Sequence, residues 1–432
     1  MERLIETREL YTDFNTFEGV VKALNGVSIV VREGETYGLV GESGCGKSVT
    51  VRSMMRIVQA PGRITGGNIV IFFRAEDRSR GIDIIRRSDA YMTSIRGDSI
   101  SMIFQEASTS LNPVLSIGYQ IGESFHFHRR AQMLEETLKE LDGELSGRLL
   151  FPLRIWKGLQ RALFAREHGV LRSYEERIDR LDHELYGLED RSDDESLARK
   201  DALNSRRDRL REKSALAEFF TRFPFIRRYR RRLERTVRRH VVELLRSLGV
   251  PNPERIAESH PHELSGGMQQ RIVIAIALAC HPVLLIADEP TSNLDVTIQA
   301  QIIDLIKQLK RTAISSVLFI THDLGLVAEV CDRVSVMYAG DISETSGVKE
   351  LFKNPLHPYS QGLLRSVPKA EQSGELATIP GAVPNLIQPP SGCRFHPRCP
   401  HRMDICPAAK PPLIEHSPSH WVACHLYADG KR

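Results

Sequence analysis

The chain has 432 residues, 41% of them apolar, and a formal net charge of +4. That length is too great for one ordinary domain and enough for two or three, and the apolar share supports a buried core. No apolar run reaches the ~18 residues needed to span a bilayer, and the N-terminus enters polar sequence at once, so neither a transmembrane segment nor a secretory signal is expected. The positive charge is concentrated. Residues 129–239 hold 24 Arg and 4 Lys against 21 Asp and Glu, a net +7, which leaves −3 on the rest of the chain.

From Val27 to Phe104, short strand-like runs alternate with turns. The run Glu35–Val40 leads into Gly41-Glu42-Ser43-Gly44-Cys45-Gly46-Lys47-Ser48, which fits G-x-x-x-x-G-K-[ST]. An apolar-periodic helix opens at Lys47. Residues 132–236 read differently: Leu171, Tyr174, Ile178, Leu181, Leu185 and Leu188 step by three and four, a short heptad seam. It suits a helical hairpin that turns near Gly187 and Glu189–Glu195 and returns through Leu197, Leu203 and Leu210. Leu264-Ser265-Gly266-Gly267-Met268-Gln269 opens another helix. Past it come a strand over Val283–Asp288, an amphipathic helix over Val296–Arg311, and strands over Ser316–Thr321 and Val334–Tyr338. Strands and helices alternating around a phosphate loop predict a mostly parallel sheet with helices on its faces. The tail from Asn354 carries 13 of the 22 prolines and is expected to be irregular, in need of a staple.

The chemistry follows from residue type and place. Glycines let backbone N–H groups close around phosphates, Lys47 adds positive charge, and the Ser48 hydroxyl can ligate Mg²⁺. Leu284–Glu289 is an apolar strand ending in two carboxylates. Asp288 is placed to hold Mg²⁺ and Glu289 to polarise an attacking water. Ser265, Gly266 and Gly267 at a helix start offer N–H donors and a positive dipole end, a second phosphate-binding surface; a plain N-cap at Ser265 is the alternative. Cys45, Cys280 and Cys331 stand singly and read as buried small residues. Cys393, Cys399, Cys406 and Cys424 crowd the tail and suit a metal site better than disulfides in a reducing compartment. Four thiolates in 32 residues suit either Zn²⁺ or an iron–sulfur cluster, and His396, His401, His420 and His425 keep mixed ligation open.

The phosphate loop, LSGG, the Asp288-Glu289 pair and Ile320-Thr321-His322-Asp323, in that order, resemble the ATP-binding subunit of an ABC transporter over residues 1–130 and 237–432. The resemblance implies an α/β P-loop NTPase with a helical subdomain, working as a head-to-tail pair with ATP between the P-loop of one copy and the LSGG of the other. On that pattern Gln105 touches Mg²⁺ and the attacking water, His322 contacts the γ-phosphate, and Ser265, Gly266, Gly267, Gln269 and the D-loop Asp295 serve the partner's nucleotide. An aromatic should stack on adenine; Phe14 matches best, with Phe17 and Tyr11 close by.

Leu111-Asn112-Pro113, His260-Pro261-His262-Glu263, Asn354–Tyr359 and the segment Gly392–Pro400 narrow the resemblance to the oligopeptide/dipeptide importer branch. In that branch Cys393, Cys399, Cys406 and Cys424 look like ligands of a [4Fe–4S] cluster, with Zn²⁺ the alternative. The implied partners are two permease subunits, a second ATP-binding subunit (a heterodimer) and an extracellular solute-binding protein, at the cytoplasmic face of the membrane. The expected segments are 1–131 and 237–353 as the two parts of the ATPase core, 132–236 as an inserted helical hairpin, and 354–432 as a small Cys-rich C-terminal domain. The Arg-rich end of the insert, Arg227 to Arg239, is either a solvated face or a contact for anionic lipid. The competing function is a soluble ABC-type ATPase acting on nucleic acid, against which the HPY-type tail argues.

Overall fold

The computed structural model describes residues 2–73, 81–147, 150–188, 199, 202–203, 205–206, 209–210, 227–292, 294–312, 316–366 and 379–428. Two compact units are present. The first comprises residues 1–87, 99–110 and 281–432, and the second residues 88–98 and 111–280.

The first unit holds two sheets. The smaller is antiparallel, in the order β2 (Gly19–Arg32), β1 (Arg3–Thr16), β4 (Gly62–Ile71), β5 (Ile82–Asp83). The larger has eight strands in order across the sheet. These are β11 (Ile414–Ser417), β12 (His420–Val422), β10 (Asp341–Gly347), β9 (Arg333–Tyr338), β3 (Thr36–Val40), β8 (Ser316–Thr321), β7 (Leu284–Asp288) and β6 (Ile100–Ile103). From β9 to β6 the strands run parallel. Every residue of β3, β7 and β8 is buried, as the unbroken apolar runs of strands covered on both faces require. The register aligns their C-terminal ends: Val40 lies beside Thr321, Asp288 beside Ile320 and Ile103 beside Ala287. Parallel strands present all their C-terminal ends at one edge, where such sheets bind ligands.

The tail is more regular than its prolines suggest. It contains a helix, Pro358–Arg365, and the strands β11 and β12, which extend the larger sheet through β10. Pro358 stands at the first turn of its helix, where the missing N–H costs nothing. The imidazole of His357 caps that helix by accepting from the Tyr359 amide. Pro418 falls in the turn between β11 and β12 rather than within either strand.

The second unit is helical. Its main helices are Ile117–His128, Arg130–Ser146, Phe151–Leu188, Arg227–Ser247 and Gly266–Leu278. The heptad residues lie on the 38-residue helix Phe151–Leu188, which begins well before the seam. Leu181 packs against Leu203, with Leu210 beside them, as a returning helix requires. The expected turn, Glu189–Glu195, and Leu197 lie outside the described residues.

Candidate active site

The chain leaves β3 at Val40 and enters the phosphate loop. Two glycines there are obligatory. A Cβ on Gly41 (φ +155) would stand 2.2 Å from the Met337 carbonyl oxygen. One on Gly46 (φ +106) would meet the Ala23 carbonyl at 2.9 Å. Lys47, 5% exposed, donates from Nζ to the carbonyls of Gly41 (2.8 Å) and Glu42 (3.1 Å), so its charge lies inside the loop it is expected to serve.

Ser48 Oγ donates to Asp288 Oδ1 at 3.0 Å. Asp288 is buried, and burial pushes its carboxyl up from the usual range against the opposing pull of the Ser48 hydroxyl and Arg52. Its Oδ2 is buried with no hydrogen-bond partner. A buried, half-satisfied carboxylate is costly by itself. Beside a serine hydroxyl at a phosphate loop it is the donor set a hard cation such as Mg²⁺ takes, all oxygen and net negative. The residues fit the ion that the motif implies.

One residue on, Glu289 adopts φ +47, a left-handed conformation rare for a residue with a side chain. Strain of this kind costs about 1–3 kcal/mol and persists only where surrounding contacts impose it. Here the Glu289 amide donates to the Ile320 carbonyl at 3.0 Å. The carboxylate then meets two side chains from other strand ends. Gln105 Nε2 donates to Oε2 at 3.2 Å and His322 Nδ1 stands 3.2 Å from Oε1. Thus residues 105, 289 and 322, far apart in sequence, converge on one carboxylate. Ser292 Oγ donates to the Gln105 carbonyl at 2.8 Å and ties the following loop to the same place.

The remaining predicted residues divide. Asp295 Oδ1 accepts from the Ile298 amide at 3.0 Å, which makes it the cap of the helix Val296–Thr312. Phe14 is half-buried, with its ring against Gly62, where a Cβ would come within 2.5 Å of it. Phe17 is fully exposed on the turn between β1 and β2, and Tyr11 hydrogen-bonds Glu9. In the second unit, Ser265 begins the helix Gly266–Leu278 without using its side chain to cap it. Gln269 Nε2 donates to the Pro261 and Leu264 carbonyls, at 2.8 and 3.3 Å, and fixes the turn that carries the two glycines.

The four tail cysteines are free thiols in neighbouring positions. Burial pushes Cys393 up to about 11 and Cys424 up to about 12; the other cysteines of the group add to both shifts, and backbone N–H groups of Phe395, His396 and Leu426 oppose them. Among the described residues no group of three or more His, Cys, Asp and Glu side chains is arranged to hold a single metal ion. Three of the four nearby histidines have other partners. His396 donates to the Cys393 carbonyl, His425 to the Ala409 carbonyl, and buried His420 pairs with buried Glu344 at 2.7 Å.

A feature beyond the motifs joins the tail to the phosphate loop. Arg398, from the segment between Cys393 and Cys399, grips the Glu42 carboxylate with both terminal nitrogens, at 2.8 and 3.2 Å. It also donates to the Ile379 and Pro380 carbonyls and to the Tyr338 hydroxyl. The Glu42 amide donates to the Tyr359 hydroxyl at 3.0 Å. Arg394 donates to the Ala339 and Lys22 carbonyls. Both arginines stand in the recognisable Gly392–Pro400 segment, yet nothing in their spacing points 356 residues back to Glu42.

Among the described residues no helix is long and apolar enough to cross a membrane. A family model described as ABC transporter matches residues 24–151 and 168–292, more than half of the chain. One described as Oligopeptide/dipeptide transporter, C-terminal region, matches residues 343–406. The chain is 36% identical to the dipeptide transport ATP-binding protein DppD of Bacillus subtilis, over 99% of this chain and 95% of that protein. It is 36% identical to the oligopeptide transport ATP-binding protein OppD of the same organism, over 98% and 89%, and 36% identical to its AppD counterpart, over 99% and 98%. Matched along nearly its whole length, this chain belongs to the ATP-binding proteins of ABC transporters, in the oligopeptide/dipeptide branch.

Proposed function

We propose that this protein hydrolyses ATP to drive the import of peptides through a pair of permease subunits. The observation that carries the reading is the Glu289 carboxylate, held between Gln105 and His322 at the strand ends that also carry the phosphate loop and Asp288. Water attacking a phosphate needs positioning and charge neutralisation more than covalent chemistry. Glu289 orients the water and takes its proton. Gln105 and His322 hold that carboxylate and touch the water and the γ-phosphate. Lys47 and the loop from Gly41 through Glu42, Ser43, Gly44, Cys45, Gly46 and Ser48 bind the phosphates, and Phe14 stacks on the base. Ser48 and Asp288, with Gln105, would hold Mg²⁺, which would supply positive charge to offset that of the phosphates.

Ser265, Gly266, Gly267, Gln269 and Asp295 complete the nucleotide site of a second ATP-binding subunit, in a heterodimer at the cytoplasmic face of the membrane. A solute-binding protein delivers peptide on the other side. Residues 1–131 and 237–353 form the ATPase core, 132–236 the insert and 354–432 the Cys-rich end. Cys393, Cys399, Cys406 and Cys424 hold a metal cluster there. The spacings of five, six and seventeen residues between successive cysteines lack the tight C-x₂₋₄-C pairs that zinc sites favour, and with the family resemblance this supports [4Fe–4S] over Zn²⁺. Its place is structural, a staple for the tail.

The test is turnover by the chain purified with its permeases. Glu289→Gln is expected to bind Mg²⁺-ATP normally and to lose turnover by roughly 10²–10⁴-fold, the usual worth of a general base. Normal turnover in that variant would remove Glu289 from the mechanism. Iron and sulfide analysis with a visible spectrum tests the tail, and colourless, zinc-loaded protein would reject the cluster.

A further inference from the structure

The helix Phe151–Leu188 is built inside out over its first five turns. Its protein-facing side is polar. Lys157 pairs with Glu144 at 3.0 Å and Glu167 with Arg130 at 2.6 Å, both toward the helix Arg130–Ser146, and Gln160 is 5% exposed. Phe164 is the buried apolar residue on that side. The opposite side is apolar and open. Phe151, Ile155, Leu159 and Leu163 step by four along it, with Trp156 beside them, and the five are between 45 and 77% exposed. A helix normally turns such a stripe toward a core. Exposed apolar surface rimmed by polar groups marks an interaction site.

Charge decides what covers it. Residues 145–166 contain no Asp or Glu and five basic residues, Arg148, Arg154, Lys157, Arg161 and Arg166; Lys157 pairs with Glu144 and Arg161 with Asp142, while Arg154 and Arg166 are exposed. An apolar face with Trp, Phe and Leu, combined with basic residues and no acid, is the composition of a helix lying in the plane of a membrane interface. In the Arg-rich run at the far end of the insert, three described arginines have acidic partners. Arg232 pairs with Glu144, Arg238 with Glu258, and Arg239 with Glu136 and Glu140. The family match also passes over residues 152–167, the stretch bearing this stripe.

We infer that the face of Phe151, Ile155, Trp156, Leu159 and Leu163 seats in an anionic lipid surface, with Arg154 and Arg166 at the headgroups. The inference rests on the proposed membrane-side location but not on any catalytic residue, so hydrolysis can stand or fall separately.

The experiment uses the full-length chain with Trp421→Phe, which leaves Trp156 as the single tryptophan. Vesicles of phosphatidylcholine with phosphatidylglycerol are compared with phosphatidylcholine alone, at low and high salt. Binding to the anionic vesicles, a blue shift of Trp156 emission, and weakening by salt are expected. The double variant Ile155→Glu with Leu159→Glu should lose at least tenfold in vesicle affinity while ATPase activity stays unchanged. Should that variant fail to fold, Arg154→Gln with Arg166→Gln takes its place and should narrow the preference for anionic over neutral vesicles several-fold. Failure of the parent chain to bind vesicles, or equal binding by the variants, overturns the inference. So does a chain that ignores vesicles but whose stripe variants dissociate a dimer, which would assign the face to a second copy. Stripe variants that keep vesicle binding but no longer co-purify with the permease subunits would assign the face to those subunits, which is equally fatal.

Discussion

Replacing Arg398 by alanine removes the brace between the cysteine-bearing tail and the phosphate loop. Arg398 is nearly buried, at 7% exposure, and Glu42 is 24% exposed. Burial pulls the guanidinium's pKa down, and its hydrogen bonds to Glu42 and Tyr338 more than reverse that, so the net shift is upward. Truncating one member of a fully buried pair costs ~3–5 kcal/mol; because Glu42 can regain water, about 2 kcal/mol is the better figure here. That cost falls on the first residues of the loop, where Glu42 is also held through its amide by Tyr359. If the loop must regain the same arrangement to bind phosphate, its competent fraction drops and the apparent ATP affinity falls by up to about thirtyfold. The KM for ATP should rise by that order while kcat changes less than about twofold, because no catalytic group moves. Arg398→Lys should recover part of the loss, since an ammonium keeps the charge but not the two-pronged grip. Equilibrium ATP binding, measured in a Glu289→Gln background to suppress turnover, gives the affinity directly. A folded Arg398→Ala protein that binds ATP as tightly as the parent would refute the coupling.

Three further outcomes follow from the buried groups. Asp288→Asn is expected to abolish Mg²⁺-dependent turnover while leaving the melting temperature equal or higher. The native carboxyl is raised by burial, so the folded state binds more protons than the unfolded one above the ordinary carboxylate range, and its charge is a stability cost at neutral pH. A large drop in melting temperature would contradict this. His357 has the opposite consequence. Burial lowers it from 6.5 to about 4, so the unfolded chain takes up its proton first, and stability is lost as pH falls from 6.5 through about 4. The loss is about 3 kcal/mol and should be missing from the acid unfolding profile of His357→Gln; an unchanged profile would exonerate His357. Tyr359→Phe removes the acceptor of the Glu42 amide, and a loss of about 1 kcal/mol in ATP binding energy is expected, read as a severalfold weaker Kd. No change would show that the loop is set without that contact.

Much of this site was legible because its chemistry is written in local order. Residues 41–48 are consecutive, and Asp288, Glu289 and His322 each follow an apolar run short enough to be a strand. Parallel pairing then carries the strand ends to one edge, so a motif at the end of a run already has its address. The helix start at Ser265 and the helix bearing the seam from Leu171 were readable for the same reason, as glycine placement and periodicity are short-range signals. What was not legible depends on long-range contact. Arg398 and Glu42 carry ordinary charges and show no periodicity linking them. The regularity of the tail was hidden because proline excludes helix interiors and central strands but not their first turns and connections.

The insert shows a further kind of blindness. The leucine steps from 171 to 188 identify a helix, and periodicity is indifferent to which side of a stripe faces protein. Between Phe151 and Val170, Lys157, Arg161 and Glu167 meet the neighbouring helix through ion pairs and Gln160 and Phe164 are buried, while the apolar stripe faces out. Amphipathicity thus gives the existence of two faces and not their assignment. The assignment comes from partners: acidic residues on the helix Arg130–Ser146 claim the basic side, leaving the apolar side with no protein to meet among the described residues. The same reasoning applies to the arginines near residue 235, which as a bare run suggest a binding surface: as side chains, Arg232 is matched by Glu144, Arg238 by Glu258, and Arg239 by Glu136 and Glu140. Charge in a sequence measures supply, and only the pairing in the fold shows how much of it remains to attract a lipid surface.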